Sequence, residues 1–147
     1  MIPPQGFTGF RGRGMSERIV IIGAGQAGAQ AVATLRAEGF TGTITMIGDE
    51  PFLPYQRPPL SKAYLQGKFE RERLFLKPES FYAEAKVEMI LGTAAASIDR
   101  TKKQVMLTDG RVIAYDKLLL ATGTRVRPIL VPNANFNAVH YLRSIAD

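Results

Sequence analysis

An unbroken β-branched run, Ile19-Val20-Ile21-Ile22, leads straight into Gly23-Ala24-Gly25-Gln26-Ala27-Gly28, and few folds accept that order. A strand with no polar alternate residues must be covered on both faces, as the parallel strands of α/β sheets are. The Gly-x-Gly-x-x-Gly spacing then opens a helix. Its first glycine permits the tight turn, its second lets a pyrophosphate approach the backbone, and its third lets helix and strand pack closely. An anion would sit at the helix N-terminus, where unpaired N–H groups and the positive end of the dipole meet it.

A glycine triplet alone is a weak signal, so its flanks decide. Ala27, Ala31, Val32, Ala33 and Leu35 predict a helix of small and apolar residues, Gly39 its stop, and residues 43–47 a second strand. Asp49 lies 21 positions after Gly28, near the roughly 20 expected of a carboxylate that binds a ribose hydroxyl. Glu50 competes with it, and an acidic residue after a strand also suits a solvated loop. Together these parts predict a βαβ unit that holds an adenine dinucleotide rather than an ordinary crossover.

The 147 residues suffice for one domain with a real core, but not for a dinucleotide enzyme with a separate substrate domain. With 46% apolar and 22% charged residues the composition is that of a soluble globular protein. No apolar run approaches the roughly 18 residues of a membrane span. The absence of cysteine excludes disulfides, thiolate metal sites and a redox-active cysteine pair within these residues, and fits a reducing cytoplasm. A single histidine, His140, excludes a multi-histidine metal site. The net charge of +6 is scattered, and Arg71 and Arg73 alternate with Glu70 and Glu72, which argues against nucleic acid. A modestly basic surface suits an acidic partner protein or simple solubility.

Residues 1–14 are rich in glycine and proline and aperiodic, so they are expected to form a disordered leader, with the folded part beginning at Met15. After Asp49, four prolines up to Pro59 force extended and turn conformations, and a short helix is expected over residues 60–66, closed by Gly67. Arg57 and Lys62 make this stiff segment either a loop aimed at something anionic or a crossover with two solvated bases. A helix is predicted from Pro78 to Ala85 and a strand over 87–91. Residues 94–98, 105–107 and 112–115 form an antiparallel meander with Asp109-Gly110 as a hairpin turn, expected to carry no chemistry. Leu118 to Leu120 return to a buried strand that exits through Ala121-Thr122-Gly123, small residues at the end of a strand where α/β sheets admit a ligand. No second glycine fingerprint follows.

Four separated stretches, IVIIGAGQAG, IGDEPFLPYQRPPLSKAYL, LLLATGTRVRP and YLRSIAD, resemble the FAD-dependent ferredoxin reductases of the putidaredoxin and rubredoxin reductase type, within the pyridine nucleotide–disulfide oxidoreductase group. The resemblance runs from Ser16 to Asp147. RPPLSK is its most specific part, because related disulfide reductases carry a cysteine pair in this region. The resemblance implies a Rossmann-like α/β FAD-binding core with an antiparallel meander insertion, incomplete relative to the family. It implies Gly23, Gly25, Ala27 and Gly28 at the pyrophosphate and Asp49 on the adenosine ribose. Arg57 and Lys62 would lie near the ribityl chain and flavin, with Pro58 and Pro59 shaping the wall. Lys62 is the implied catalytic residue, a cation beside the ring that favours the reduced, anionic form. Ala95 would contact adenine through its backbone; Ala121, Thr122 and Gly123 form a second cofactor-contacting turn, and Arg143 reaches the cofactor.

Two departures accompany the resemblance. Val32 stands where many FAD sites have glycine or alanine, and a small helix shift is expected. In the family a nicotinamide domain with its own fingerprint follows the position of Asp147, so the FAD half-site here is expected to be open on one side and the chain alone not to oxidise NADH. The complete family reaction passes electrons from NADH or NADPH through FAD to a small iron–sulfur protein. Two other readings remain: an NAD-dependent dehydrogenase domain, against which RPPLSK and ATG argue, and a non-catalytic adenine-nucleotide-binding module.

Overall fold

The computed structural model describes residues 17–128 and 139–147, so the expected leader lies outside the described residues. Four strands form one parallel sheet in the order β3-β2-β1-β7, where β1 is Arg18–Ile22, β2 Thr43–Gly48, β3 Val87–Leu91 and β7 Lys117–Leu120. Helix α1, Gln26–Ala37, connects β1 to β2, and the short α2, Glu79–Glu84, precedes β3. A second, antiparallel sheet is the predicted meander: β4 Ala95–Asp99, β5 Gln104–Leu107 and β6 Val112–Ala114.

The apolar run of β1 is explained by two cores, one on each face. Ile19 and Ile21 pack with Val32, Phe40, Ile44 and Met46 on the α1 side. Val20 and Ile22 pack with Ile47, Ile90, Val105, Leu107 and Tyr115 on the meander side. Adjacent residues of one strand therefore serve opposite layers, and each buried aliphatic side chain contributes about 1.5–3 kcal/mol. Val32 is fully buried in the first core. At the amino end of β1, the Arg18 backbone N–H donates to the Asp116 carboxylate at 2.8 Å and its guanidinium pairs with the same group at 3.2 Å.

Helix α1 ends beside Gly39 as expected, and Arg36 ties that end down. Its guanidinium donates to the carbonyls of Phe40 at 2.6 Å, Gly42 at 2.9 Å and Ala85 at 2.7 Å. The entry to β2 and the exit from α2 are thereby joined through one cation, satisfying carbonyls that would otherwise compete for water.

The helix expected over residues 60–66 does not form as a regular α-helix. A 3-10 turn covers Pro58–Ser61, and Lys62 leaves helical geometry at φ −128° and ψ −113°. Pro58 and Pro59 occupy its first two positions, where no N–H is needed, and Leu60 is its buried residue. The stop at Gly67 does hold. Lys68 N–H donates to Ala63 C=O and Gly67 N–H to Tyr64 C=O, both at 2.9 Å, the paired bonds of a Schellman ending. A further 3-10 turn, Arg71–Leu74, brings Leu74 into a third core with Tyr55 and Leu60.

Tyr82 in α2 is 1% exposed, and among the described residues its hydroxyl has no hydrogen-bond partner. Burial pushes its pKa from 10.0 to about 12. A buried, unpartnered hydroxyl carries a desolvation penalty of about 1–3 kcal/mol. Tyr82→Phe is expected to stabilise the chain by about 1 kcal/mol, raising the thermal midpoint by roughly 2–4 °C. Because the folded pKa lies above the unfolded one, wild-type stability should be unaffected below pH 10 and decline as the pH rises toward about 12. Tyr82→Phe should flatten that decline; denaturant titrations at pH 9 and pH 11 check both points. Among the described residues no helix is long and apolar enough to cross a membrane.

Candidate functional site

In-register pairing of Ile22 with both Ile47 and Leu120 brings the carboxyl ends of β1, β2 and β7 to one line. Beyond that line the chain opens into a cavity of about 690 Å³, which shares lining residues with a second of about 470 Å³. Gly23, Asp49, Arg57, Thr122, Gly123 and Arg143 line both. Ala95 lines the larger; Gly25, Ala27, Pro58 and Ala121 line the smaller. Eleven of the fourteen residues that the resemblance places at the cofactor thus line one site, and Gly28, Pro59 and Lys62 do not. The meander, expected to be inert, supplies Thr93, Ala94 and Ala95 to its wall.

The three fingerprint glycines differ in what the protein itself asks of them. Gly23 has φ +120°, and a Cβ there would lie 2.1 Å from the Ala121 carbonyl oxygen. Gly28 lies outside both cavities, and its Cβ would stand 2.2 Å from the Gly23 carbonyl oxygen. Both are fixed by close backbone approach. Gly25 has φ −107°, which any residue adopts, and a Cβ there would meet nothing within 4 Å. Its open side faces the smaller cavity, at the N-terminus of α1, where no side chain caps the helix and no acidic residue occupies the first turn. Free N–H groups and an unopposed dipole make this end attractive to an anion.

The two neighbouring carboxylates have different employment. Among the described residues Asp49 makes no hydrogen bond or ion pair and is exposed at the cavity. Glu50 accepts hydrogen bonds from the Tyr55 hydroxyl and the Arg57 guanidinium. Arg57 also donates to the Tyr55 hydroxyl oxygen at 3.1 Å and to the Arg143 carbonyl, with its guanidinium 5.0 Å from the Tyr55 ring centre. The Tyr55 hydroxyl accepts from the Ile145 N–H at 3.3 Å. Burial, reinforced by the Glu50 hydrogen bond, pushes the Tyr55 pKa to about 12, so the phenol keeps its proton.

Residues 143–147 therefore lie against the site from a position far along the chain. The Asp147 carboxylate accepts from the backbone N–H groups of Ser144 at 2.6 Å and Arg143 at 2.7 Å, and these bonds hold its pKa below the usual value. The Arg143 guanidinium reaches over Gly123, 3.1 Å from where a Cβ would stand. Lys62 does not line either cavity. It is exposed, and its ammonium donates to the Pro58 carbonyl at 3.2 Å. Sequence reasoning passed over Tyr55, Arg125, Thr93 and Asp147. Tyr55-x-Arg57 was the one available signal, an aromatic and a cation two positions apart in an extended segment.

The lining offers backbone N–H donors, a free carboxylate and the guanidinium of Arg143. That set suits a ligand with a central anionic group and a sugar hydroxyl. The family profile described as pyridine nucleotide-disulphide oxidoreductase matches residues 17–147. The chain is 50% identical over 129 residues to rhodocoxin reductase of Rhodococcus erythropolis, covering 88% of this chain and 30% of that protein. It is 42% identical over 135 residues to putidaredoxin reductase of Pseudomonas putida, covering 90% and 32% respectively. It superimposes on the crystal structure of the covalent putidaredoxin reductase–putidaredoxin complex with a TM-score of 0.83 at 41% identity, covering 91% of this chain and 33% of the other. The chain thus spans about a third of the length of these relatives.

Proposed function

Because the chain belongs to the pyridine nucleotide-disulphide oxidoreductase family, we propose that it is the FAD-binding part of a ferredoxin reductase-type enzyme. The chemistry that bound FAD supplies is acceptance of a hydride from NADH or NADPH and onward delivery of electrons to a small iron–sulfur protein. The residues of this chain bind and orient. The first turn of α1, at Gly25 to Ala27, holds the pyrophosphate; Asp49 accepts hydrogen bonds from the adenosine ribose; Thr93 to Ala95 border the adenine. Arg57 and Pro58 border the flavin end, and Arg143 reaches the cofactor over Gly123. Lys62 stands outside both cavities, held to the Pro58 carbonyl at 3.2 Å, and takes no part in this reading.

The observation that carries this reading is Gly25, a glycine with no steric reason inside the protein, whose open side faces a cavity. Asp49 supports it, since its neighbour Glu50 is already engaged and only Asp49 has its carboxylate to give. The test is titration of the purified chain with FAD and NAD separately, followed by flavin absorbance and ligand fluorescence. Saturable FAD binding in clear preference to NAD is expected; preference for NAD would overturn the proposal in favour of a dehydrogenase-type site. Asp49→Asn should weaken FAD binding by roughly tenfold or more, the worth of a hydrogen bond to a charged group. An unchanged Kd would remove Asp49 from the ribose role.

A further inference from the structure

Glu50 borders both cavities, yet each of its carboxylate oxygens already has a protein partner, the Tyr55 hydroxyl on one and the Arg57 guanidinium on the other. The pair is largely shielded, with side-chain exposures of 25% for Glu50 and 29% for Arg57. Both partners pass the interaction on, to the same place. Arg57 donates to the Arg143 carbonyl, and the Tyr55 hydroxyl accepts the Ile145 N–H. The Ile145 side chain packs on the core of Tyr55, Leu60 and Leu74.

We propose that Glu50 is a positioning residue that acts through Arg57 and Tyr55 to hold residues 143–147 against the cavity, and so sets where the Arg143 guanidinium stands. Glu50 is the carboxylate hydrogen-bonded to both Tyr55 and Arg57, and Asp147 adds a longer-range attraction to the same guanidinium. Without the Glu50 charge, the Arg57 guanidinium loses the ion pair that orients it, and the Tyr55 hydroxyl loses the acceptor that turns its remaining lone pairs toward Ile145 and Arg57. A partly buried cation left without its partner repositions toward solvent. The Arg143 and Ile145 backbone contacts go with it. Only the effect on ligand affinity rests on the FAD reading; the attachment of residues 143–147 is a property of the chain itself.

Hydrogen exchange on the ligand-free 147-residue chain tests the attachment directly. In Glu50→Gln, which keeps the size of the side chain and removes its charge, amides of residues 143–147 should exchange about tenfold faster, the effect of losing one charge-assisted hydrogen bond. Amides of β1 and β2 should be unchanged. Tyr55→Phe, which keeps the ring in its core, should give the same local acceleration at Ile145, and it carries the test if Glu50→Gln loosens the whole sheet. Wild-type exchange rates at 143–147 in both variants would overturn the proposal. In parallel, FAD affinity should fall about tenfold in each variant. If the wild-type chain binds no FAD, the cofactor reading fails while the exchange comparison still decides the role of Glu50.

Discussion

Gly25→Ala is expected to abolish measurable FAD binding, a loss on the order of a hundredfold or more, while leaving the stability of the chain within about 0.5 kcal/mol of wild type. Two opposing terms set the stability. Alanine at a backbone geometry it can adopt stabilises by about 0.4–1 kcal/mol through the unfolded chain. Alanine is also a poorer N-cap than glycine, by a similar amount. The added methyl meets no protein atom within 4 Å, so no clash tips the balance. On the ligand side the methyl occupies the approach to the first turn of α1, where a phosphate must come to hydrogen-bond distance of backbone N–H groups. Loss of one or two charge-assisted hydrogen bonds is about 3 kcal/mol, hence the hundredfold. Isothermal titration beside thermal unfolding separates the two, and retained FAD affinity in a folded Gly25→Ala chain would mean that the cofactor does not approach α1 here.

The same substitution three residues on is expected to do the reverse. Gly28→Ala puts a Cβ 2.2 Å from the Gly23 carbonyl oxygen, a backbone atom that cannot rotate away. Overpacking of this kind costs about 3 kcal/mol, whereas alanine gains only about 1 kcal/mol in helix propensity. The net loss of about 2 kcal/mol corresponds to a midpoint lowered by roughly 4–8 °C for a chain of this size. Urea unfolding of the ligand-free chain reads this without reference to any cofactor. A midpoint equal to or above wild type would show that the turn at Gly23 yields readily to a methyl group at position 28.

Much of the fold was legible because its determinants are local. The β-branched run of β1, the small-residue helix, the strand over 43–47 and the Asp109-Gly110 hairpin each follow from neighbours in sequence, and each is found where expected. The cavity was legible to the same degree, since a βαβ unit presents its turn and strand ends at one edge. What escaped is what depends on contacts across the chain. The residues after Pro59 read as helical by composition, but the chain makes a 3-10 turn that buries Leu60 and leaves helical geometry at Lys62. Asp49 and Glu50 are indistinguishable as letters; they separate only when Tyr55 and Arg57 fold back and engage one of them. The attachment of Ile145 to Tyr55 spans 90 positions, and no local pattern announces it.

The two-faced burial of β1 leaves it without one common safeguard. In a strand with one polar face, slipping by one residue turns apolar side chains to water and is penalised at once. Here Ile19, Val20, Ile21 and Ile22 are interchangeable in that respect, since both faces are apolar. The alignment of β1 with its neighbours must therefore be enforced at its ends. Gly23 N–H to Ile47 C=O and Ala121 N–H to Ile22 C=O, both at 2.8 Å, do so at one end, and the Arg18–Asp116 pairing does so at the other. That surface pair lies away from the cavity and is modest in strength, yet it is a polar contact that only the native alignment of β1 makes.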